Sequence, residues 1–389
     1  MFGKEAAKME YRELGKTGKS LSVIGLGCEQ LDGKPYEQVR ETVTAAVDHG
    51  VNIFDVIMPG EEVRSFVSKA LGDKRNKVMI QGHIGATDIN RQYDISRDMP
   101  TVKRYFGDIL RKFGGHIDFG MLFFIDSEED YRSIFETDFV KYAERLKKQG
   151  DIGHIGFSSH SPEMSIRAIN TGIPDMLMFS INPAFDMLPT EEYILNQFDK
   201  GFTPELYRGV NPKRTELYKL CEQKQIGITV MKAFGAGKLL SKEHAPFAKP
   251  MSAVQCLHYA LSRPAVASVL PGCQTAYEVI DLMKYFDAGD AERDYSDVLS
   301  SVRNDFRGSC VYCSHCQPCP VKIDIAAVHK YLDIALLDTE NIPPSISSHY
   351  KSLAHRASKC ADCAHCENRC PFGVPIIKNM KEAVRLFGD

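Results

Sequence analysis

Eight of the twelve cysteines lie in two short runs late in the chain. The first reads Cys310-x-x-Cys313-x-x-Cys316-x-x-Cys319-Pro320. The second reads Cys360-x-x-Cys363-x-x-Cys366-x-x-x-Cys370-Pro371. Thiolates at this spacing wrap a small inorganic core, and a run of four that closes on Cys-Pro is the ligation pattern of a [4Fe–4S] cluster. Where two such runs occur together, the fourth Cys of each ligates the other run's cluster. The expected ligand sets are therefore Cys310, Cys313 and Cys316 with Cys370, and Cys360, Cys363 and Cys366 with Cys319. Groups of this kind pass electrons one at a time.

Two other chemistries use paired cysteines. A zinc ribbon needs four ligands, and here each run already holds four. Disulfides need an oxidising compartment. Met1–Lys19 is polar and charged, without the apolar segment of a signal peptide, and no apolar run reaches the length of a membrane span. The expectation is a soluble, cytoplasmic chain with no membrane partner. A net charge of −3 argues against nucleic acid as well. Cys28, Cys221, Cys256 and Cys273 stand alone in the sequence and read as ordinary buried thiols.

A chain of 389 residues is too long for a cluster module alone. Apolar segments at 23–26, 51–55, 78–83, 117–125, 154–158, 175–181, 227–232 and 266–270 read as strands. They alternate with helical periodicity at 36–49, 61–71, 96–113, 131–148, 161–170, 215–224, 252–262 and 275–286. Gly15-Lys-Thr-Gly18 reads as a hairpin turn ahead of them, because no helix follows as a phosphate loop would require. Repeated βα units imply parallel strands, and eight suit a closed barrel. The expected fold class is α/β, a (β/α)8 TIM barrel over 1–288. Over 289–389 a helical linker leads into a small, mainly helical domain that resembles the helical ferredoxins. Its expected helices span 290–306, 323–337 and 375–387, with a loop over 340–348.

Barrel chemistry sits at the C-terminal ends of the strands. The residues there are Asp55, His83, Asp126, Ser158, Ser159, His160, Asn182 and Lys232. Each alone could be a helix cap or a satisfied rim group; together they ring one face.

The motifs Leu14-Gly-Lys-Thr-Gly, Leu21-Ser-Val-Ile-Gly-Leu-Gly27, Asp48-His-Gly-Val-Asn-Ile-Phe-Asp55, Ile152-Gly-His-Ile-Gly-Phe-Ser158 and Ser268-Val-Leu-Pro-Gly272 resemble, in that order, those of the aldo-keto reductases. With the cysteine runs the chain resembles the iron–sulfur branch of that superfamily. The resemblance implies hydride transfer between a nicotinamide and a carbonyl, through an Asp-Tyr-Lys-His tetrad. The Asp matches Asp55. The stretch Val56-Ile-Met-Pro-Gly60 offers no Tyr, His83 stands where the Lys would be, and Asp126 where the His would be. His83 and His160 are then the proton-donor candidates, since imidazole titrates near neutral pH, with Asp55 and Asp126 expected to flank His83. The same Asp-His-Asp set with His160 could instead hold a divalent metal. Lys232 would supply positive charge. The resemblance places a nicotinamide against Ser158, Ser159 and Asn182, and its phosphates near Gly235, Gly237, Gly272 and Gln274. A flavin is the other candidate, because it converts between one- and two-electron steps.

Three functions follow: an iron–sulfur oxidoreductase whose clusters relay electrons to the barrel mouth, a non-redox or metal-assisted barrel enzyme with structural clusters, and an electron-transfer subunit with an inactive barrel. The first implies a small-molecule substrate and a redox partner protein. The segment 182–213 is expected over the mouth. Phe185, Met187, Tyr193, Phe198, Phe202 and Tyr207, with Glu191, Glu192 and Arg208, suit an aromatic or amphipathic ligand.

Overall fold

The computed structural model describes residues 9–89, 93–189, 194, 209–300 and 306–388. The chain forms two compact units. One comprises Met1–Ser180, Ile226–Lys232 and Ala267–Asp287; the other comprises Ile181–Gln225, Ala233–Val266 and Ala288–Asp389.

The first unit begins with a hairpin of β1 (Tyr11–Glu13) and β2 (Ser20–Ser22), turned at Gly15 and Gly18 as the sequence predicts. Eight parallel strands follow: β3 (Leu26–Gly27), β4 (Ile53–Val56), β5 (Met79–Ile84), β8 (Ile117–Leu122), β9 (Ile152–Ser159), β10 (Met176–Ser180), β11 (Gly227–Met231) and β12 (Val266–Val269). The short strands β6 (Ala86–Thr87) and β7 (Asp94–Ile95) form a separate ribbon. Single bridges join Ile24 to Val269 and Gly27 to Gly272, so the first strand meets the last and the sheet closes into a (β/α)8 barrel. The seam is close-packed: a Cβ on Gly27 would fall 3.1 Å from the Leu270 carbonyl oxygen.

Neighbours in register share a face. Ile53 pairs with Met79, Asp55 with Gln81, Gln81 with Phe119, and His83 with Met121. Ile53, Phe119 and Met121 belong to the buried cluster that also holds Leu14, Leu21, Met176 and Met178. Asp55, Gln81 and His83 therefore face the barrel interior, above this apolar layer. Leu14 and Leu21 bring the hairpin against the opposite end, where a Cβ on Gly227 would collide with Leu14. Helices Tyr36–Asp48, Glu61–Leu71, Met99–Lys112 and Pro162–Asn170 occur where periodicity places them. The helix expected over 131–148 is two, Glu128–Phe135 and Asp138–Gln149, because Thr137 caps the second by accepting a bond from the Phe139 amide.

Among the described residues the second unit is helical. Ile325–Leu336 packs on Pro344–Lys351 and Ile376–Phe387, and Tyr350 stacks on Phe387 with centroids 4.5 Å apart. Two expectations are corrected. The helix expected over 290–306 is two single turns, Asp290–Arg293 and Ser296–Leu299, because Asp294 leaves the helical conformation and caps the Ser296 amide; residues 301–305 lie outside the described set. The loop expected over 340–348 contains the helix Pro344–Lys351, whose first-turn proline has no amide to leave unpaired and whose Ile346 and Tyr350 are buried.

A buried carboxylate organises this unit. Asp186 is fully buried and accepts bonds from Arg214 Nη1 (2.7 Å), Tyr218 OH (3.0 Å) and Tyr259 OH (2.9 Å). Removing one member strands the others without solvent. Asp186→Ala is expected to lower unfolding free energy by about 3–5 kcal/mol, read from the guanidinium midpoint. A change below about 1 kcal/mol would show that the network relaxes without cost.

Candidate functional site

Two histidine–carboxylate pairs stand at the C-terminal ends of the barrel strands. The first lies on β4 and β5. His83 Nε2 donates to Asp55 Oδ1 at 2.7 Å, and Gln81 Nε2 donates to the same oxygen at 2.8 Å. Gln81 Oε1 in turn accepts from Thr229 Oγ1. Asp55 and His83 are 3% and 1% exposed. The carboxylate thus fixes the His83 tautomer, with the proton on Nε2. Nδ1 is buried and has no hydrogen-bond partner among the described residues.

The second pair follows β8 and β9. His160 Nδ1 donates to Asp126 Oδ2 at 2.8 Å; its backbone amide donates to Oδ1 at 2.6 Å, and Ser159 Oγ reaches Oδ1 at 3.2 Å. Here the other ring nitrogen, Nε2, is the one left buried without a partner among the described residues. Phe123 meets the His83 ring edge-on at 5.3 Å, and Phe124 meets His160 at 5.4 Å. Phe124 has φ 67°, a left-handed kink that ends the strand by Leu122 rather than at 125. The expectation that both carboxylates flank His83 is corrected: Asp55 does, while Asp126 is taken up by His160.

Lys232 closes β11 with φ 59°. Burial pushes its ammonium below the ordinary lysine range, against the fields of Glu29 and Asp126. Glu29 moves upward, through burial and then Asp55, with Lys232 opposing. Glu29 and Gln81 are members of this mouth that sequence reasoning missed. Gln81 was signalled by its place two residues before His83, on the same face of a strand.

Each remaining candidate lies in its own unit. In the barrel unit, Ser158 Oγ accepts from the Phe124 amide, and Ser159 Oγ donates to the Ile125 carbonyl. Gly272 forms the closing bridge, and Gln274 offers its carbonyl to Gln38 Nε2. That bridge also sets Cys28 beside Cys273, two thiols that stand alone in sequence. Both are buried; burial raises them, Cys273 to about 12. In the second unit, Asn182 caps the turn Pro183–Asp186 through the Phe185 amide. Gly235, Ala236 and Gly237 are consecutive left-handed residues. Phe185 and Met187 are buried. Tyr193, Phe198, Phe202, Tyr207, Glu191, Glu192 and Arg208 lie outside the described residues.

The cysteine runs surround two cavities. One is lined by Cys310, Cys313, Cys316 and Cys370. The other is lined by Cys319, Cys360, Cys363 and Cys366. Each quartet draws three thiols from one run and the fourth from the other. The backbone repeats as well. Tyr312 and Ser314 flank Cys313 with φ 61° and 63°, and Asp362 and Ala364 flank Cys363 with φ 51° and 57°. Four non-glycine residues in this region cost about 1–2 kcal/mol each, and such turns aim successive N–H groups into a concavity that suits an anion. Burial holds Cys310 well above the ordinary thiol range and Cys313 at about 12. Thiols so placed become ligands only when a bound cation compensates their charge. Among the described residues no group of three or more His, Cys, Asp or Glu is arranged to hold a metal ion. Four thiols around one cavity, three from one run and one from the other, match the donor set of an iron–sulfur cluster, so the residues fit that group. A buried cation faces the first run: Arg263 Nη2 donates to the Val311 carbonyl at 3.0 Å and to Tyr295 OH, and its guanidinium lies 4.7 Å from the Tyr312 ring centroid.

The family model for the aldo/keto reductases matches residues 23–253, more than half of the chain. The chain belongs to the aldo/keto reductase family. None of the curated proteins compared matches it. Among solved structures, aldo-keto reductase AKR11C1 from Bacillus halodurans in its holo form is similar at 19% identity and a TM-score of 0.56, over 76% of this chain and 97% of that one. PA4992 of Pseudomonas aeruginosa, described as an aldo-keto reductase, is similar at 19% identity and a TM-score of 0.53, over 71% and 93%. These likenesses support the barrel. They take in nearly all of each neighbour and leave over a fifth of this chain unmatched. Among the described residues no helix is long and apolar enough to cross a membrane.

The hydrogen bonds make the two histidines of this family member opposite tautomers. In histidine-labelled protein, long-range ¹⁵N–¹H correlation is expected to show His83 protonated at Nε2 and His160 at Nδ1. Asp55→Asn should perturb only the first pattern and Asp126→Asn only the second. The same tautomer at both residues would mean that the carboxylates do not set it.

Proposed function

We propose that this aldo/keto reductase family member is an iron–sulfur oxidoreductase, with a barrel of 1–288 and a cluster-holding segment of 289–389. The observation that carries the proposal is the pair of cavities, each lined by three cysteines of one run and the fourth of the other. Cys310, Cys313, Cys316 and Cys370 would hold one [4Fe–4S] cluster, and Cys319, Cys360, Cys363 and Cys366 the second. When bound, such groups store and pass single electrons.

The barrel residues handle protons. His83 Nδ1 and His160 Nε2 each stand on a ring whose other nitrogen is anchored by a carboxylate, and both are buried, which keeps bulk water from competing. Reduction of a carbonyl to an alcohol consumes two electrons and two protons; a nicotinamide would bring one proton with the electron pair as hydride, and the imidazolium form of either histidine could supply the other. This arrangement replaces the family's tyrosine acid: Asp55 is kept, while His83 and Asp126 stand at the Lys and His positions. A small carbonyl compound is the proposed substrate. NAD(P) or a flavin is the proposed two-electron carrier, with Ser158, Ser159, Gly272 and Gln274 as its proposed contacts in the barrel unit. Lys232, which lies in the fields of Glu29 and Asp126, is the proposed anchor for an anionic group.

Protein purified without oxygen is expected to contain about eight irons and about eight acid-labile sulfides per chain. Dithionite should produce reduced-cluster signals in electron paramagnetic resonance. Cys319→Ser should disturb the cluster of the second run, and Cys370→Ser that of the first. Stoichiometric zinc without sulfide would exclude the reading. If the iron is present, His83→Gln and His160→Gln should each lower turnover by about 10²–10⁴-fold while the clusters still reduce. Acid extraction would release the two-electron carrier and distinguish flavin from nicotinamide.

A further inference from the structure

The two cysteine quartets differ in exposure. Cys313 and Cys316 are buried, whereas Cys363 is exposed and Cys319, Cys360 and Cys366 are partly so. Ile325 and Ile376 line both cavities, so one layer of side chains separates them. The rim of the more exposed cavity is charged. Lys322, Lys359, Lys378 and Lys381 are exposed, and each is the chain neighbour of a lining residue.

Three acidic residues neighbour the same lining. Asp324 accepts from the Ala327 amide, Glu367 accepts from the Ile377 amide, and Asp362 pairs with Lys381 at 2.6 Å. Lys322, Lys359 and Lys378 form no ion pair among the described residues. The chain as a whole carries −3, so this positive rim is a local departure from the average. Lys322, Lys359, Lys378 and Lys381 outnumber Asp324, Asp362 and Glu367 by one, and a local excess of one sign beside a redox group steers a carrier of the opposite sign and orients it on arrival.

We infer that Lys322, Lys359 and Lys378 form the docking surface for an acidic protein that carries one electron. The inference rests on the cluster-holding reading above and names its partner. In the step served, the carrier loses one electron and the group held by Cys319, Cys360, Cys363 and Cys366 gains it; no bond forms or breaks and no proton moves. Exposure makes this quartet the point of entry.

The test uses an acidic flavodoxin as the probe and the anaerobic, iron-loaded full chain. Binding of oxidised flavodoxin is expected to weaken on the order of tenfold between about 20 and 200 mM salt. The variant K322E/K359E/K378E should lose on the order of tenfold in affinity and in the stopped-flow rate of electron uptake from reduced flavodoxin. Its iron content and its reduction by dithionite should be unchanged. The same charge change on Lys103, Lys148 and Lys242 should leave both readouts near wild type, which separates location from net charge. Iron-loaded wild-type protein that ignores flavodoxin, or a rim variant that binds it as wild type does, would overturn the inference. Protein without iron and sulfide would instead overturn the reading beneath it.

Discussion

The register of the parallel strands is the constraint on which the barrel site depends. A side-chain period of two means that one residue of slip would turn Asp55, Gln81 and His83 out of the interior together. The register is held by the closing bridges at Ile24–Val269 and Gly27–Gly272 and by the apolar layer of Ile53, Phe119 and Met121 beneath the site. Above that layer a carboxylate can exist only if donors meet it. Asp55 receives two, and Asp126 receives two from His160. The dyads are therefore requirements of burial before they are chemistry, and the free ring nitrogens are what burial leaves over.

The cysteine segment obeys a different constraint. Its runs are not held by a ladder, and their shape comes from residues in the left-handed region. The same two positions around the middle cysteine are left-handed in both runs, with tyrosine and serine in one and aspartate and alanine in the other. Side-chain identity is thus not what selects this backbone. Two segments unlike in sequence adopt the same left-handed turns around the middle cysteine, which is expected if each wraps the same kind of group. The environments differ. Arg263, buried and bonded to the Val311 carbonyl, places a positive charge beside the first quartet, and the second quartet opens toward solvent.

Strand order and the hairpin were legible in the sequence because each rests on local spacing. The eight strands were marked by apolar runs between helices of clear period. The pairing within the mouth was not legible. Asp126 stands on the strand beside that of His83, yet a left-handed Phe124 ends its strand early and delivers it to His160. Backbone handedness at a phenylalanine leaves no trace in composition. The helix Pro344–Lys351 was missed for a related reason. Two prolines in succession read as a loop, although the second begins a helix when buried Ile346 and Tyr350 follow at helical spacing. Glu29 was missed because an acidic residue beside Gly27-Cys28 looks like surface until the barrel closes over it.

In the proposed reading, the family's tetrad and this mouth would meet the same physical demand in different ways. A tyrosine acid needs a neighbouring cation, because its phenol otherwise holds its proton too firmly near neutral pH. An imidazole needs no such help, since its ordinary range already spans neutrality. Once histidine carries the proton, the lysine beside the acid is superfluous and a carboxylate that fixes the tautomer is the useful partner. Asp55, the retained member, serves either scheme: it can pair with a lysine or accept from His83 Nε2. In that reading His83, standing where a lysine would be and bonded to that aspartate, would make one coherent exchange of acid chemistry.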